Sequence, residues 1–423
     1  MRPFAELLSR PFAPELAARL LRYTRIETTS DRHIDDIPST KTQWDLARLL
    51  MGELSAMGIA DSSLDEHCYL FARLPASPGL EEAPSIGLMA HMDTASDVSG
   101  SGVKPRVIEA YDGEPIVLGG GSDGGSLVLD PADNPELSEH VGDSIVVTDG
   151  STLLGADDKA GLAEVMTAAA LLLASPEIRH GPIELIFTPD EETGKGMNLF
   201  PLERLRSKAC YTVDGGGAGE IEAECFTAYG VKAEFKGKAI HIGAARGKLA
   251  NAVAMAGSFI SMLPRSEAPE STDGWYGYYC PLEMSGTLEA AQVEVFLRDF
   301  SQAGMESRIA AVRAMAAAVE AQFPLGSVTL AVKKQYVNMR EKLDQRPEVL
   351  ERLMEAARRA GADPVVRPIR GGTDGARLTE MGVPTPNMFT GGYNYHSRFE
   401  WASLAEMALA VDTIIELVKL WAQ

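Results

Sequence analysis

Several short apolar runs in this sequence end in residues that can bind a metal or move a proton. The chain has only seven histidines, and two of them, His91 and His396, stand in such clusters. His91 lies in Ala90-His91-Met92-Asp93-Thr94, after the apolar run 86–90. In extended chain His91 and Asp93 point to the same side. A carboxylate beside an imidazole can hold the ring's second nitrogen and fix its tautomer, as carboxylates do behind metal-bound histidines. Asp157 and Asp158 follow Gly155-Ala156 at the start of a helical stretch. One aspartate suffices for a cap, so two exceed that need. The segment Thr188-Pro189-Asp190-Glu191-Glu192-Thr193-Gly194 puts three consecutive carboxylates at a strand end, where they repel one another unless cations compensate. In extended chain Glu191 and Glu192 face opposite sides, so one can bind a metal while the other faces a bound water. Asp214, ahead of three glycines, and His396, in Gly391-Gly392-Tyr393-Asn394-Tyr395-His396, complete the series.

Together His91, Asp157, Glu192, Asp214 and His396 offer two imidazoles and three carboxylates, a donor set suited to a pair of zinc ions. The charges also balance: three carboxylates and one bridging hydroxide neutralise two Zn²⁺. Glu191 is left over as a general base for a metal-bound water.

Such a site needs a scaffold that brings strand ends together. Short apolar strands at 86–90, 144–148, 183–187 and 211–213 alternate with helical patterns, among them 43–57, with Thr40 or Thr42 as a cap, and 159–174. This alternation predicts an α/β domain with a mostly parallel sheet. In such sheets ligands bind beyond the carboxyl ends of the strands, where these clusters fall. From about residue 226 the pattern changes. Strands at 231–235, 278–289, 292–299 and 328–333 and helices at 251–263 and 306–322 form two strand–helix–strand halves, an inserted α+β domain of βαββαβ type. Helices at 346–361 and 405–422 then return to the first domain. The expected division is 1–222 with 334–423 for the catalytic domain and 223–333 for the insert. The stretch 119–134, rich in Gly, Asp and Ser, predicts a flexible loop. It carries no GK[ST] and so lacks the mark of a phosphate-binding loop.

With 423 residues, 45% hydrophobic and 23% charged, the composition is that of a globular chain. Acidic residues outnumber basic ones 60 to 39, a net charge of −21. That excess, without a basic cluster, argues against binding nucleic acid or an anionic membrane surface. The four cysteines, Cys68, Cys210, Cys225 and Cys280, form no CxxC pair and read as reduced thiols. No stretch reads as a signal peptide or a membrane span, so the expected location is the cytoplasm.

These motifs resemble those of the co-catalytic di-zinc exopeptidases, the family that includes aminoacylase and glutamate carboxypeptidase. The matching segments are IPSTKTQW (37–44), HMDT (91–94), TDGSTLLGADDKAG (148–161), FTPDEETGKG (187–196), YTVDGGG (211–217), RDF (298–300), YVNMRE (336–341), PIRGGTDGA (368–376) and FTGGYNYH (389–396). They span almost the whole chain. The two long C-terminal matches point to the branch of the family that removes the N-terminal residue from tripeptides. The resemblance implies that His91 and Asp214 bind one zinc, Glu192 and His396 the other, and Asp157 bridges, with Co²⁺ or Mn²⁺ as possible substitutes. Asp93 would orient His91. Glu191 would take a proton from the bridging water and pass it to the leaving amine. The Asp157–Asp158 peptide is expected to be cis. The insert would be a lid through which a homodimer forms. His241 would steady the substrate carbonyl, although the family's usual His-Pro-Gly is His241-Ile242-Gly243 here. Asn251 is a candidate substrate contact. Arg298 and Arg370 are candidates to grip the substrate carboxylate as bidentate forks. A dipeptidase or an N-acyl amino acid deacylase would share the metal site and differ in its pocket.

Overall fold

The run 86–91 forms a strand, Ile86–His91, buried at every position. Such a continuous apolar run, without alternation, belongs in a sheet covered on both faces. The computed structural model describes residues 2–120 and 126–423. Ile86–His91 lies parallel to Ile183–Thr188 on one side and to Ala209–Gly215 on the other, and Asn387–Phe389 adds parallel to Ala209–Gly215. Leu70–Leu74 and Ser62–Leu64 extend the sheet antiparallel at the Ile183–Thr188 side. Eight strands make up this sheet, mostly parallel at its centre as the alternating pattern predicts, except that the strand expected at 144–148 lies in a separate sheet, where Ile145–Val147 pairs antiparallel with Arg106–Ile108 and Trp401–Ser403. His91, Thr188 and Asp214 all fall at carboxyl ends of neighbouring parallel strands.

The chain divides into two compact units. The first is Met1–Ala223, Lys342–Arg367 and Thr373–Gln423; the second is Glu224–Glu341 and Pro368–Gly372. In the first, the helices Ala156–Ala174 and Leu404–Trp421 are almost wholly buried and pack with the sheet strands into the largest apolar core. The second has a four-stranded antiparallel sheet in which Thr227–Lys236 lies between Ala290–Asp299 and Ser327–Tyr336, with Tyr278–Gly286 at an edge. Val231, Ala233 and Phe235 alternate with exposed residues along the central strand and pack with the helices Ala252–Met262 and Gln302–Gln322. The chain order is βαββαβ.

Three local expectations change. The strand expected at 328–333 runs on to Tyr336. The helix expected from 306 starts at Gln302, because Ser301 accepts the N–H of Gly304 as its cap. The stretch 119–134 is not a loop throughout. Ile116–Gly120 and Ser126–Leu129 pair antiparallel, and a short helix, Pro135–Ser138, follows. Residues 121–125 lie outside the described residues. The apolar Leu127, Val128 and Leu129 among the polar residues of this stretch carry the second arm; Leu129 is buried in a small cluster with Trp401.

Candidate active site

Two groups of metal-ligand side chains meet at the carboxyl ends of the central strands. His91, Asp157 and Asp214 form one, and Asp157, Glu192 and His396 the other; within each, the donor atoms lie within 4.8 Å of one another. Asp157 belongs to both and gives each a different oxygen. Its Oδ1 is 2.9 Å from His91 Nε2, and its Oδ2 is 3.3 Å from His396 Nε2. Asp214 Oδ1 lies 3.6 Å from His91 Nε2. Glu192 Oε2 lies 3.0 Å from His396 Nε2, while its Oε1 is buried with no hydrogen-bond partner. The five residues grouped from the sequence are thus brought together.

The local backbone explains how. Asp157 and Asp158 interrupt the start of their helix with non-helical torsions, and the peptide between them is cis, as expected. The interruption lets the two aspartates point to different tasks. Asp157 faces the histidines, while Asp158 accepts the N–H of His91 at 3.0 Å and that of Gly161 at 3.2 Å. Glu191 and Glu192 do not sit in extended chain. They occupy a 3₁₀ turn, Glu191–Thr193, entered through Asp190 at φ +56. Asp93 does more than the expected backing of His91. Its carboxylate accepts the backbone N–H of Glu191 at 2.9 Å and of Glu192 at 3.2 Å. His91 Nδ1 lies 3.1 Å from the Asp93 carbonyl oxygen and 3.4 Å from Oδ1. One aspartate therefore holds the glutamate turn and backs the histidine together.

The electrostatics are those of a crowded acidic site. Burial, and then the charge of Asp157, pushes the Glu192 carboxyl up to about 8. Burial raises Asp214 to about 6, with Asp157 adding to the shift and His91 opposing it. Glu191 is raised well above the ordinary carboxylate value by burial, with the charges of Asp214, Asp374 and Glu192 adding to it. Burial opposes the charged form of His396, yet hydrogen bonds to Asp157 and Glu192 carry it up to about 11. His91 is raised likewise, with Asp214 the main opponent of its burial. Carboxylates this close need positive charge between them. The donor set, the shared carboxylate and the partnerless Glu192 oxygen fit a pair of divalent cations.

Three supporting residues carried no role in the sequence reasoning. Asp190 is fully buried; Ser39 donates to it through N–H at 2.7 Å and Oγ at 2.5 Å, and Gln43 through Nε2 at 2.7 Å. That hook fixes the left-handed residue from which the Glu191 turn departs. Its signal lay in the segment 37–44, which holds both Ser39 and Gln43. Asp374 is 6% exposed, and burial pushes it up to about 7. Glu400, also buried, accepts N–H groups of the turn that carries Asp157.

The candidate substrate residues fall in the second unit. His241 is exposed, at the edge of a 3₁₀ turn. Asn251 caps the helix Ala252–Met262, its side chain accepting the N–H groups of Val253 and Ala254. Arg298 donates to the carbonyls of Leu297 at 3.0 Å and Tyr229 at 3.4 Å and lies over the rings of Phe296 and Tyr336. Arg370, expected within 334–423, belongs to the second unit. It donates to the carbonyls of Gly274, Tyr276 and Thr272 and to Thr272 Oγ1, at 2.8–3.1 Å. Both of its terminal nitrogens are engaged there, so the fork expected for a substrate carboxylate serves the unit's own backbone.

Residues 147–420 match the model of peptidase family M20/M25/M40, and the chain belongs to that family and is a peptidase. It is 44% identical over 409 residues to peptidase T of Geobacillus sp. (strain WCH70), covering 97% of this chain and 99% of that protein. Its fold is similar to that of aminopeptidase PepT from Bacillus cereus, with a TM-score of 0.73 at 22% identity over 97% of this chain and 99% of that one. It is also similar to a Bacillus subtilis protein described as a dinuclear metal binding peptidase from the M20 family, with a TM-score of 0.64 at 15% identity over 97% of this chain and 99% of that one.

Proposed function

We propose that this chain is a metal-dependent aminopeptidase that removes the N-terminal residue from tripeptides, using two zinc ions per subunit, with Co²⁺ or Mn²⁺ able to replace them. The observation that carries this reading is the pair of donor groups sharing Asp157, with Glu191 beside them and belonging to neither. The relationship to peptidase T over nearly the full length supports the choice of tripeptides. His91 and Asp214 would hold one cation, Glu192 and His396 the other, and Asp157 both. Bound there, the cations would supply Lewis acidity that polarises the scissile carbonyl and acidifies the attacking water.

The chain's own residues do the rest. Glu191 accepts the proton of the attacking water on a carboxylate oxygen and returns it to the leaving amine, so that no net proton is gained or lost. Asp93 holds Glu191 and Glu192 by their N–H groups, which sets the direction of the base relative to the ligands. His241 would steady the carbonyl oxygen, as the family resemblance implies. The second unit is the proposed dimer interface. Its edge strand Tyr278–Gly286 exposes Leu282 and Met284, and an uncovered edge strand favours pairing with another chain. All four cysteines are thiols rather than disulfides, and no described helix is long and apolar enough to cross a membrane. We place the protein in the cytoplasm on the first ground.

Hydrolysis of matched di-, tri- and tetrapeptides with free and blocked N-termini tests the proposal. Cleavage of only the free tripeptide, lost on chelation and restored by zinc, is the expected result. Preferred cleavage of dipeptides or N-acyl amino acids would move the chain to a related amidohydrolase.

A further inference from the structure

Glu400 is 2% exposed and stands four residues after His396. Its carboxylate accepts three backbone N–H groups from one distant turn. Oε2 takes those of Leu154 and Gly155 at 2.7 Å each, and Oε1 takes that of Asp157 at 3.2 Å. The helix Ala156–Ala174 has no side-chain cap of its own, because Gly155 occupies its N-cap position at φ +76. Helix starts are ordinarily capped by a Ser, Thr, Asp or Asn in place. Here the capping anion comes from the chain segment that carries His396, and it also meets the positive end of the helix dipole. Arg398 ties the same two segments a second time, donating to the carbonyls of Gly150 at 3.2 Å and Ser151 at 2.9 Å.

Asp157 belongs to both donor groups and His396 to one. A local cap would stabilise the helix equally well but would leave these two ligands independent. We propose that Glu400 is a positioning residue that locks the Asp157 turn to the His396 segment, so that both donor groups keep a geometry fit for a divalent cation. This rests on the reading of the two groups as a metal centre. Residues that orient metal ligands from behind typically change metal affinity about 10–100-fold when removed.

The test uses the full-length protein, freed of metal by chelation and titrated with Zn²⁺ against a chromophoric chelator. Wild type is compared with Glu400→Ala and Glu400→Gln, and the metal-free proteins are melted in parallel. Wild type should take up two equivalents. The Ala variant should bind about 10–100-fold more weakly. The Gln variant, which keeps one acceptor oxygen but turns an amide toward an N–H donor, should fall between. The visible spectrum of bound Co²⁺ should change in both variants, a readout that loss of helix stability alone would not move. Folded variants that bind two Zn²⁺ with wild-type affinity and an unchanged Co²⁺ spectrum overturn the inference while leaving the metal centre intact. Wild type that takes up no Zn²⁺ overturns both. Should the Ala variant fail to fold, the Gln variant decides by the same criteria.

Discussion

Glu191 and Glu192 are adjacent and chemically alike, yet the structure gives them different surroundings. Glu192 Oε2 faces His396, whereas Glu191 belongs to neither donor group. Glu191→Gln keeps the shape and removes the base. Turnover of a free tripeptide should fall by about 10²–10⁴-fold, with metal content by elemental analysis unchanged. Undiminished turnover by a fully loaded variant would remove Glu191 from the mechanism. Asp93 makes a different prediction. It touches both glutamate N–H groups and lies behind His91, so Asp93→Ala should weaken Zn²⁺ binding by about 10–100-fold as well as slow turnover. Equilibrium chelator competition separates the two effects; a variant that loses activity with wild-type Zn²⁺ affinity would confine Asp93 to aligning Glu191.

At the scale of the element, the helix Ala156–Ala174 does two jobs. Its start displays Asp157, and its body is buried in the core of the first unit. Glu164 lies in that body, fully buried, with neither carboxylate oxygen hydrogen-bonded. Burial raises its pKa well above the ordinary 4.5. Between 4.5 and that raised value the folded protein holds a proton that the unfolded chain has released. The folded state therefore binds more protons there, and its stability falls as the pH rises through that window. Glu164→Met fills similar volume without the polar group, and should stabilise the protein at pH 7 by about 1–3 kcal/mol. The gain should shrink as the pH is lowered toward 4.5. Thermal unfolding of the metal-free variant and wild type at pH 5 and 7 measures this, and a variant less stable at both would mean that Glu164 is satisfied in the folded chain.

At the scale of the molecule, two units are built from an interrupted chain. The second is made of one long segment and a five-residue return, Pro368–Gly372, which brings Arg370 to the carbonyls of 272–276. The proposed dimer belongs to this scale. Sedimentation should give twice the chain mass of 45.4 kDa, and Met284→Lys, on the exposed edge strand, should shift the protein toward the monomer without unfolding it. A wild-type protein that sediments as a monomer at micromolar concentration would exclude the dimer.

The sequence alone determined the fold class and the five donor residues that the fold brings together. A buried strand without alternation, such as 86–91, suits a sheet covered on both faces, and His91 and Asp214 stand at the ends of two such strands. The βαββαβ order of the second unit was legible for the same reason, since its strands and helices have different hydrophobic periods. What periodicity could not supply was direction. The Glu191 turn was read as extended because Asp190, a non-glycine residue in left-handed backbone, leaves no local mark; Ser39 and Gln43 hold it from about 150 positions away. Asp93 looked like a partner for one histidine because its spacing showed only the nearer contact. Asn251 and Arg370 offered polar groups that any substrate could use; in the fold the Asn251 side-chain oxygen also caps a helix and the Arg370 guanidinium meets carbonyls of 272–276. Glu400 gave no signal at all, because its three N–H partners come from a turn some 245 residues earlier. Hydrogen-bond accounting in a buried interior is settled only when distant segments meet, and that is where the tertiary structure decided which of the chain's many carboxylates gather around Asp157 and which accept backbone N–H groups behind them.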